Sequence, residues 1–173
     1  TRESLEKIGM SAAHLLALIN DILDMSRIES VRMILKNEEF SLRRLLEVIN
    51  TMFASQCQDK GLEYSCHILG DIDEYYIGDN MKLRQVLINI LGNSVKFTPT
   101  GGSVNMTVEK VGSYEDHTTV RFTISDTGIG MSKEFLPHIF DTFSQEDSSN
   151  TNSYGSSGLG MAITKSIVEM MHG

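Results

Sequence analysis

Apolar residues recur along this chain with two different periods, and the switches between them mark its elements. From Leu5 the series Leu5, Ile8, Ala12, Leu15, Ile19 and Ile22 steps by three and four, with Leu16, Leu18 and Leu23 widening the seam. The pattern fades after Ile28, which predicts a helix of about eight turns, longer than an ordinary domain helix and suited to a dimerising bundle. Residues 38–54 open with Glu38, Glu39, Phe40 and the N-cap candidate Ser41. They continue with Leu42, Leu45, Leu46, Val48, Ile49 and Phe53 at helical spacing, and Lys60-Gly61 closes that helix. Tyr64 to Leu69 and Tyr75-Tyr76-Ile77 read as short strands, ended by Gly70-Asp71 and Gly78-Asp79.

Leu83 to Thr98 reads as a helix with two faces. Leu83, Val86, Leu87, Ile90 and Leu91 lie on one side, and Gln85, Asn89, Asn93 and Lys96 on the other. After Pro99-Thr100-Gly101-Gly102, the alternating sets Val104, Met106, Val108 and Val120, Phe122, Ile124 predict two antiparallel strands, with Gly112 to Thr118 as their loop. A short helix is predicted around Lys133 to Phe143, and a last one over Met161 to Met171 with Ile163, Ile167, Val168 and Met171 turned inward. Between these two, residues 144–157 are almost free of apolar side chains and of periodicity, the composition of a functional lid or a disordered segment.

A length of 173 residues with 40% hydrophobic content suits one well-cored domain plus an appendage. The net charge of −8, with 15 Lys and Arg scattered along the chain, argues against a nucleic-acid partner. An anionic ligand would therefore need local help from Lys96, a metal or backbone N–H groups. Cys57 and Cys66 have neither the neighbours of a metal site nor the pattern of a disulfide framework, and read as reduced thiols of a cytosolic chain. No apolar run approaches the roughly 20 residues a membrane span needs, and no signal-peptide pattern opens the chain. An opening inside a helical pattern is what a piece of something longer would show.

The carboxamides of Asn89 and Asn93 and the ammonium of Lys96 on one helix stripe are costly if buried without partners, and a metal with a polyphosphate would satisfy them. A solvated or loop-covered polar face would do so as well. Asp126-Thr-Gly128-Ile-Gly130 puts a carboxylate at the end of a strand, followed by glycines that let the backbone approach a ligand. Such a carboxylate can accept from an exocyclic amine like that of adenine, although Asp-x-Gly also starts ordinary turns. Gly155, Gly158 and Gly160 precede a helix, where free N–H groups and the dipole make a phosphate cradle or a plain linker. No Lys follows these glycines, so this is not a Walker loop. Phe140 and Phe143, three apart, read as core aromatics or as anchors of the polar segment. His14 lies among leucines and reads as an edge residue of its helix rather than a nucleophile; the other histidines have no partners at metal-ligand spacing.

In their order and spacing these segments resemble the catalytic ATP-binding domain of sensor histidine kinases, particularly the hybrid type, within the superfamily that includes gyrase and chaperone ATPases. Asn89-Ile-Leu-Gly-Asn93-Ser-Val-Lys96-Phe-Thr resembles the N box, Asp126-Thr-Gly-Ile-Gly130 the G1 box, Phe140-Asp-Thr-Phe143 the F box and Gly158-Leu-Gly-Met-Ala162 the G2 box. Residues 1–30, with Leu18-Ile-Asn-Asp-Ile-Leu-Asp-Met-Ser-Arg-Ile-Glu29, resemble the second helix of the dimerisation and phosphotransfer bundle.

The resemblance implies an α+β fold, a two-layer α/β sandwich whose mixed sheet is covered by helices on one face. A long N-terminal bundle helix (1–30) would precede a catalytic domain (31–173), with final strands expected beyond Gly173. It implies ATP and Mg²⁺ as cofactors: Asn93 as metal ligand, Asn89 and Lys96 on the phosphates, and Asp126 on the adenine amine. Gly128, Gly130, Phe143, Gly158, Leu159 and Gly160 would shape the pocket under a lid at 144–157. The reaction implied is γ-phosphoryl transfer to a histidine of the dimerisation domain, by positioning and charge neutralisation. A response-regulator receiver domain and a second copy of the protein would be its partners. The location implied is cytoplasmic, within a protein that an inner-membrane anchor could hold.

The histidine-bearing helix, marked in the family by His-Glu and a following Arg-Thr-Pro, does not occur in these residues, so no autophosphorylation is expected of them alone. Ser156 replaces the glycine that the family places after Gly155. Gyrase-type hydrolases place a Glu one turn before the metal-binding Asn to activate water; Asn89 stands there and cannot serve as a base. A nucleotide-binding or dimerisation module without transfer activity is the remaining alternative.

Overall fold

The computed structural model describes residues 2–29, 33–145 and 158–173. In chain order the elements are α1 (Arg2–Glu29), β1 (Glu38–Ser41), α2 (Leu42–Lys60), β2 (Glu63–Leu69), β3 (Tyr75–Gly78), α3 (Asn80–Phe97), β4 (Ser103–Tyr114), β5 (His117–Asp126), a 3₁₀ turn (Leu136–His138) and α4 (Gly160–Met170). They fall into two compact units, Leu35–Met131 and, separately, Thr1–Ile34 with Ser132–Gly173.

In the Leu35–Met131 unit, local chemistry sets the helix ends. Ser41 Oγ accepts from the Arg44 N–H at 3.3 Å and starts α2. Gly61 at φ 72° ends it, with the next N–H, that of Leu62, donating to Cys57 O at 2.8 Å. Asp79 caps α3 by accepting from the Lys82 N–H at 2.9 Å. Thr98, extended at φ −95° and followed by Pro99, stops that helix.

The sheet runs β2-β4-β5, with β2 parallel to β4 and β4 antiparallel to β5. In register, Cys66, Met106 and Ile124 lie side by side, as do Val108 and Phe122. This face meets Leu46, Ile49 and Phe53 of α2 and Leu87 and Leu91 of α3 in a single core. Each such side chain taken from water contributes roughly 1.5–3 kcal/mol. The opposite face is polar, and Ser65 Oγ bonds Asn105 Oδ1 at 2.6 Å there. This is the expected sandwich, a mixed sheet with helices on one face.

Four readings need correction. Glu38–Ser41 is a strand, paired antiparallel with β3, before it becomes the lead-in to α2. The predicted loop over Gly112 to Thr118 is mostly strand: Gly112 pairs with Thr119 and Tyr114 with His117, past a bulge between Lys110 and Gly112. The bulge absorbs the break in alternation that reads as a loop. Lys133 to Phe143 forms only a 3₁₀ turn with Pro137 in its first positions, where the missing N–H and ring disfavour a longer helix. Finally, Ser4–Ile28 is by length and composition apolar enough to cross a membrane, at mean hydropathy 1.3. Asn20, Asp21 and Asp24 interrupt it, so the run is segmented rather than continuous.

In the other unit α1 contacts α4. The heptad seam of α1 is exposed at Leu5, Ile8, Leu15, Ile19 and Ile22. In α4, Ala162, Ile163, Thr164 and Ile167 are buried, whereas Val168 and Met171 are half-buried. The side chain of His14 lies outside the described residues, as does the expected lid from residue 146 to 157, including Gly155 and Ser156.

Candidate functional site

The core-facing positions of β5 are Val120, Phe122 and Ile124, and the next in that alternation is Asp126, opposite Val104 in register. The strand thus carries a carboxylate on its helix-facing side just where the sheet runs out. Asp126 Oδ1 accepts from the Gly128 N–H at 2.9 Å, which fixes the carboxylate and leaves its other oxygen for a donor from outside. A Cβ on Gly128 would lie 2.7 Å from Asp126 Oδ1 and 2.8 Å from Phe97 O, so only glycine fits. Gly130, at φ 70°, turns the chain in the left-handed region.

The loop is held from both sides. Thr127 N–H donates to Ser103 O at 3.1 Å, and Ser103 N–H donates to Thr127 Oγ1 at 2.9 Å. Ile129 N–H donates to Phe97 O, joining the loop to the end of α3. The buried Thr98 turns its hydroxyl onto Ser94 O at 2.6 Å. The structure therefore brings Asp126, Gly128 and the carboxyl end of the polar-striped helix together.

On that helix Val86, Leu87, Leu91, Ser94 and Val95 are buried, whereas Asn89 and Asn93 are half-buried and Lys96 is exposed. Lys96 Nζ lies 5.2 Å from the Phe97 ring centroid. Asn93 makes no side-chain hydrogen bond among the described residues. Its carboxamide oxygen is a hard, neutral donor of the kind Mg²⁺ accepts alongside phosphate oxygens and waters. No group of three or more His, Cys, Asp or Glu that could hold a metal occurs among the described residues.

Sequence reasoning missed Lys60. Its ammonium donates to Val95 O at 2.6 Å and Lys96 O at 2.8 Å, closing the last turn of α3 with a cation at the negative end of the helix dipole. Thr100 Oγ1 donates to Lys60 O at 3.0 Å and Gly101 N–H to Gly61 O at 2.8 Å, so the end of α2 holds both α3 and the turn after it. A basic residue in the last turn of α2 was the only signal in sequence, and it did not reveal a partner 35 residues away.

The remaining candidates belong to the other unit. Phe143, at φ 60° and 73% exposed, donates its N–H to Gly158 O at 2.9 Å, tying together the two ends of the polar stretch. A Cβ on Gly158, itself at φ 68°, would lie 2.8 Å from Phe143 Cα. Leu159 occupies the N-cap of α4 and has no side-chain acceptor to offer, unlike Ser41 at α2 and Asp79 at α3. Phe140 is also exposed and holds the Lys165 ammonium 5.6 Å from its ring centroid. These aromatics are surface groups rather than core.

Residues 78–173 match the family described as histidine kinase-, DNA gyrase B-, and HSP90-like ATPase. Signal transduction histidine-protein kinase BarA of Escherichia coli is 38% identical over 172 residues, 99% of this chain and 19% of BarA. Sensory/regulatory protein RpfC of Xanthomonas campestris pv. campestris is 37% identical over 172 residues, 99% of this chain and 24% of RpfC. The crystal structure of full-length ShkA in complex with AMPPNP superposes with a TM-score of 0.78 at 30% identity, covering 99% of this chain and 34% of ShkA. The chain thus spans about a fifth to a quarter of the length of these curated relatives.

Proposed function

This chain belongs to the histidine kinase-, DNA gyrase B- and HSP90-like ATPase family, and from that premise we propose that it is the ATP-binding catalytic core of a two-component sensor histidine kinase. The observation that carries the reading is the Asp126 carboxylate, held by Gly128 N–H at the end of β5 and joined through Ile129 to the end of α3. Its second oxygen would accept from the adenine amine. Gly128 and Gly130 leave room for the base, and Asn89 and Lys96 reach the phosphates. Asn93 would supply a protein oxygen to Mg²⁺, which neutralises phosphate charge when bound. Gly158, Leu159 and Gly160 at the amino end of α4 would shape the phosphate side of the pocket, together with Phe143.

The reaction proposed moves the γ-phosphoryl group of ATP to an imidazole nitrogen of the dimerisation domain. The bond from the γ-phosphorus to the bridging oxygen breaks as the phosphorus–nitrogen bond forms, and ADP leaves. Positioning and charge neutralisation are the protein's share. Asn89, where a hydrolase carries Glu, provides no base for water, which supports transfer over hydrolysis. Residues 1–30 are assigned to the dimerisation bundle and 31–173 to the catalytic domain of a homodimer that passes its phosphoryl group to a receiver domain. The catalytic domain would work in the cytoplasm, whether or not the whole protein is anchored in the inner membrane.

Calorimetry with AMPPNP tests the reading. Wild type is expected to bind in a Mg²⁺-dependent manner, Asn93→Ala to lose the metal dependence, and Asp126→Asn to bind more weakly. Absence of binding by wild type overturns the pocket, and unchanged affinity in both variants overturns the residue roles. Acid-labile label from ATP on a histidine of the full-length protein tests the transfer itself.

A further inference from the structure

A concavity of about 390 Å³ lies at the amino ends of α2 and α3, and none of the residues assigned to nucleotide lines it. Arg44, in the first turn of α2, and Arg84, in α3, both line it. Among the described residues neither guanidinium has a hydrogen-bonding or ion-pair partner. Glu39 is the one acidic residue of the lining. The nearby Asp79 carboxylate is already engaged by the Lys36 and Lys82 N–H groups at 3.0 and 2.9 Å. Two guanidinium groups at one concavity, with no partner among the described residues, call for an anion, and the planar donor fork suits carboxylate.

A simple anion would leave one feature unexplained: the apolar surround is wider than a small anion covers. Val48 and Tyr75 line the concavity at 46% and 53% exposure. Ile77, on the same face of β3 as Tyr75, and Met81, next to Asn80, are still more exposed. Carboxylate and aliphatic side chains occur together in an acidic polypeptide.

We propose that this face docks an acidic polypeptide segment of a partner protein, with a carboxylate on Arg44 and Arg84 and aliphatic side chains on Val48 and the Tyr75–Ile77 strand face. The recognition is independent of nucleotide. An arginine pair with apolar flanks selects by charge and gains affinity from the apolar contacts.

Amide chemical-shift mapping on the nitrogen-labelled chain at low salt tests it, with a blocked peptide rich in glutamate and leucine as probe. A lysine-for-glutamate version and inorganic phosphate are the comparisons. Shifts are expected at residues 39–48 and 75–84 with the acidic peptide alone. Affinity should fall by about tenfold or more in the Arg44→Glu, Arg84→Glu double variant, whose AMPPNP binding and spectrum otherwise match wild type. No response to the acidic peptide overturns the proposal, as does binding untouched by the double variant. Equal response to phosphate would make this a simple anion site, and the same shifts arising from protein concentration alone would make it a self-association face; either result overturns the peptide reading.

Discussion

The Ile129 N–H donates to the Phe97 carbonyl at 3.1 Å, and this single bond fastens the loop leaving β5 to the last turn of α3. Gly128 sits inside that fastening, with Asp126 Oδ1 and Phe97 O each within 3 Å of where a Cβ would go. Gly128→Ala therefore has to move either the carboxylate or the helix end. Overpacking of this kind costs about 1–3 kcal/mol. We expect a loss of that order in urea unfolding, with AMPPNP affinity at least about tenfold weaker by calorimetry, since a tenfold change needs only about 1.4 kcal/mol. A variant with wild-type affinity would remove the loop from the site.

Lys60→Met keeps the aliphatic stem and deletes two charge-assisted bonds to Val95 O and Lys96 O. Bonds to a charged group are worth about 1.5–3 kcal/mol each, and water can reach part of this site, so a total of about 2 kcal/mol is expected in equilibrium unfolding. Methionine cannot donate to either carbonyl. A stability equal to wild type would show that water replaces the ammonium at no cost.

The sequence made the scaffold of this site legible because its signals are local. Ser41 and Gly61 bracket α2, and alternation in Val104 to Val108 and Val120 to Ile124 marks the two strands that carry Asp126 to its place. What escaped depends on partners distant in sequence. β1 has a single apolar residue, Phe40, and is a strand only because β3 pairs with it. Gly112 and Ser113 carry loop chemistry yet pair with Thr119 and Thr118 once the bulge resets the register. Lys60 could be read as a basic residue at a helix end, but not as the cation that holds the next helix.

Cys57 is buried and Cys66 half-buried. Burial pushes both thiols above their ordinary value of 9.0, with Lys60 opposing the shift at Cys57 and an Asn50 hydrogen bond at Cys66. The Tyr64 phenol, donating to Asn50 Oδ1 at 2.8 Å, is raised in the same sense by burial and by the two nearby thiols. The thiolate is the reactive form, so a disulfide reagent at neutral pH should react slowly with native protein and quickly once urea unfolds it. For these acids a raised folded value means that the unfolded chain ionises first. Their contribution to stability is full below about pH 9 and is lost as pH rises through the folded values. Rapid stoichiometric labelling of native protein at neutral pH would contradict this.

Phe143 holds a left-handed backbone that costs a non-glycine residue roughly 1–2 kcal/mol, yet the residue is 73% exposed and returns little of that by burial. Phe143→Gly removes the strain while adding backbone entropy to the unfolded chain, two terms of similar size and opposite sign. Stability is therefore expected to stay within about 1 kcal/mol of wild type. Phe53→Ala, which empties a fully buried core position, should cost about 3–5 kcal/mol. If strain at Phe143 is retained because the ring serves the nucleotide site, Phe143→Gly should weaken AMPPNP binding while leaving the unfolding curve nearly in place. Loss of stability approaching that of Phe53→Ala would make Phe143 a structural residue, and unchanged affinity would free it from the site.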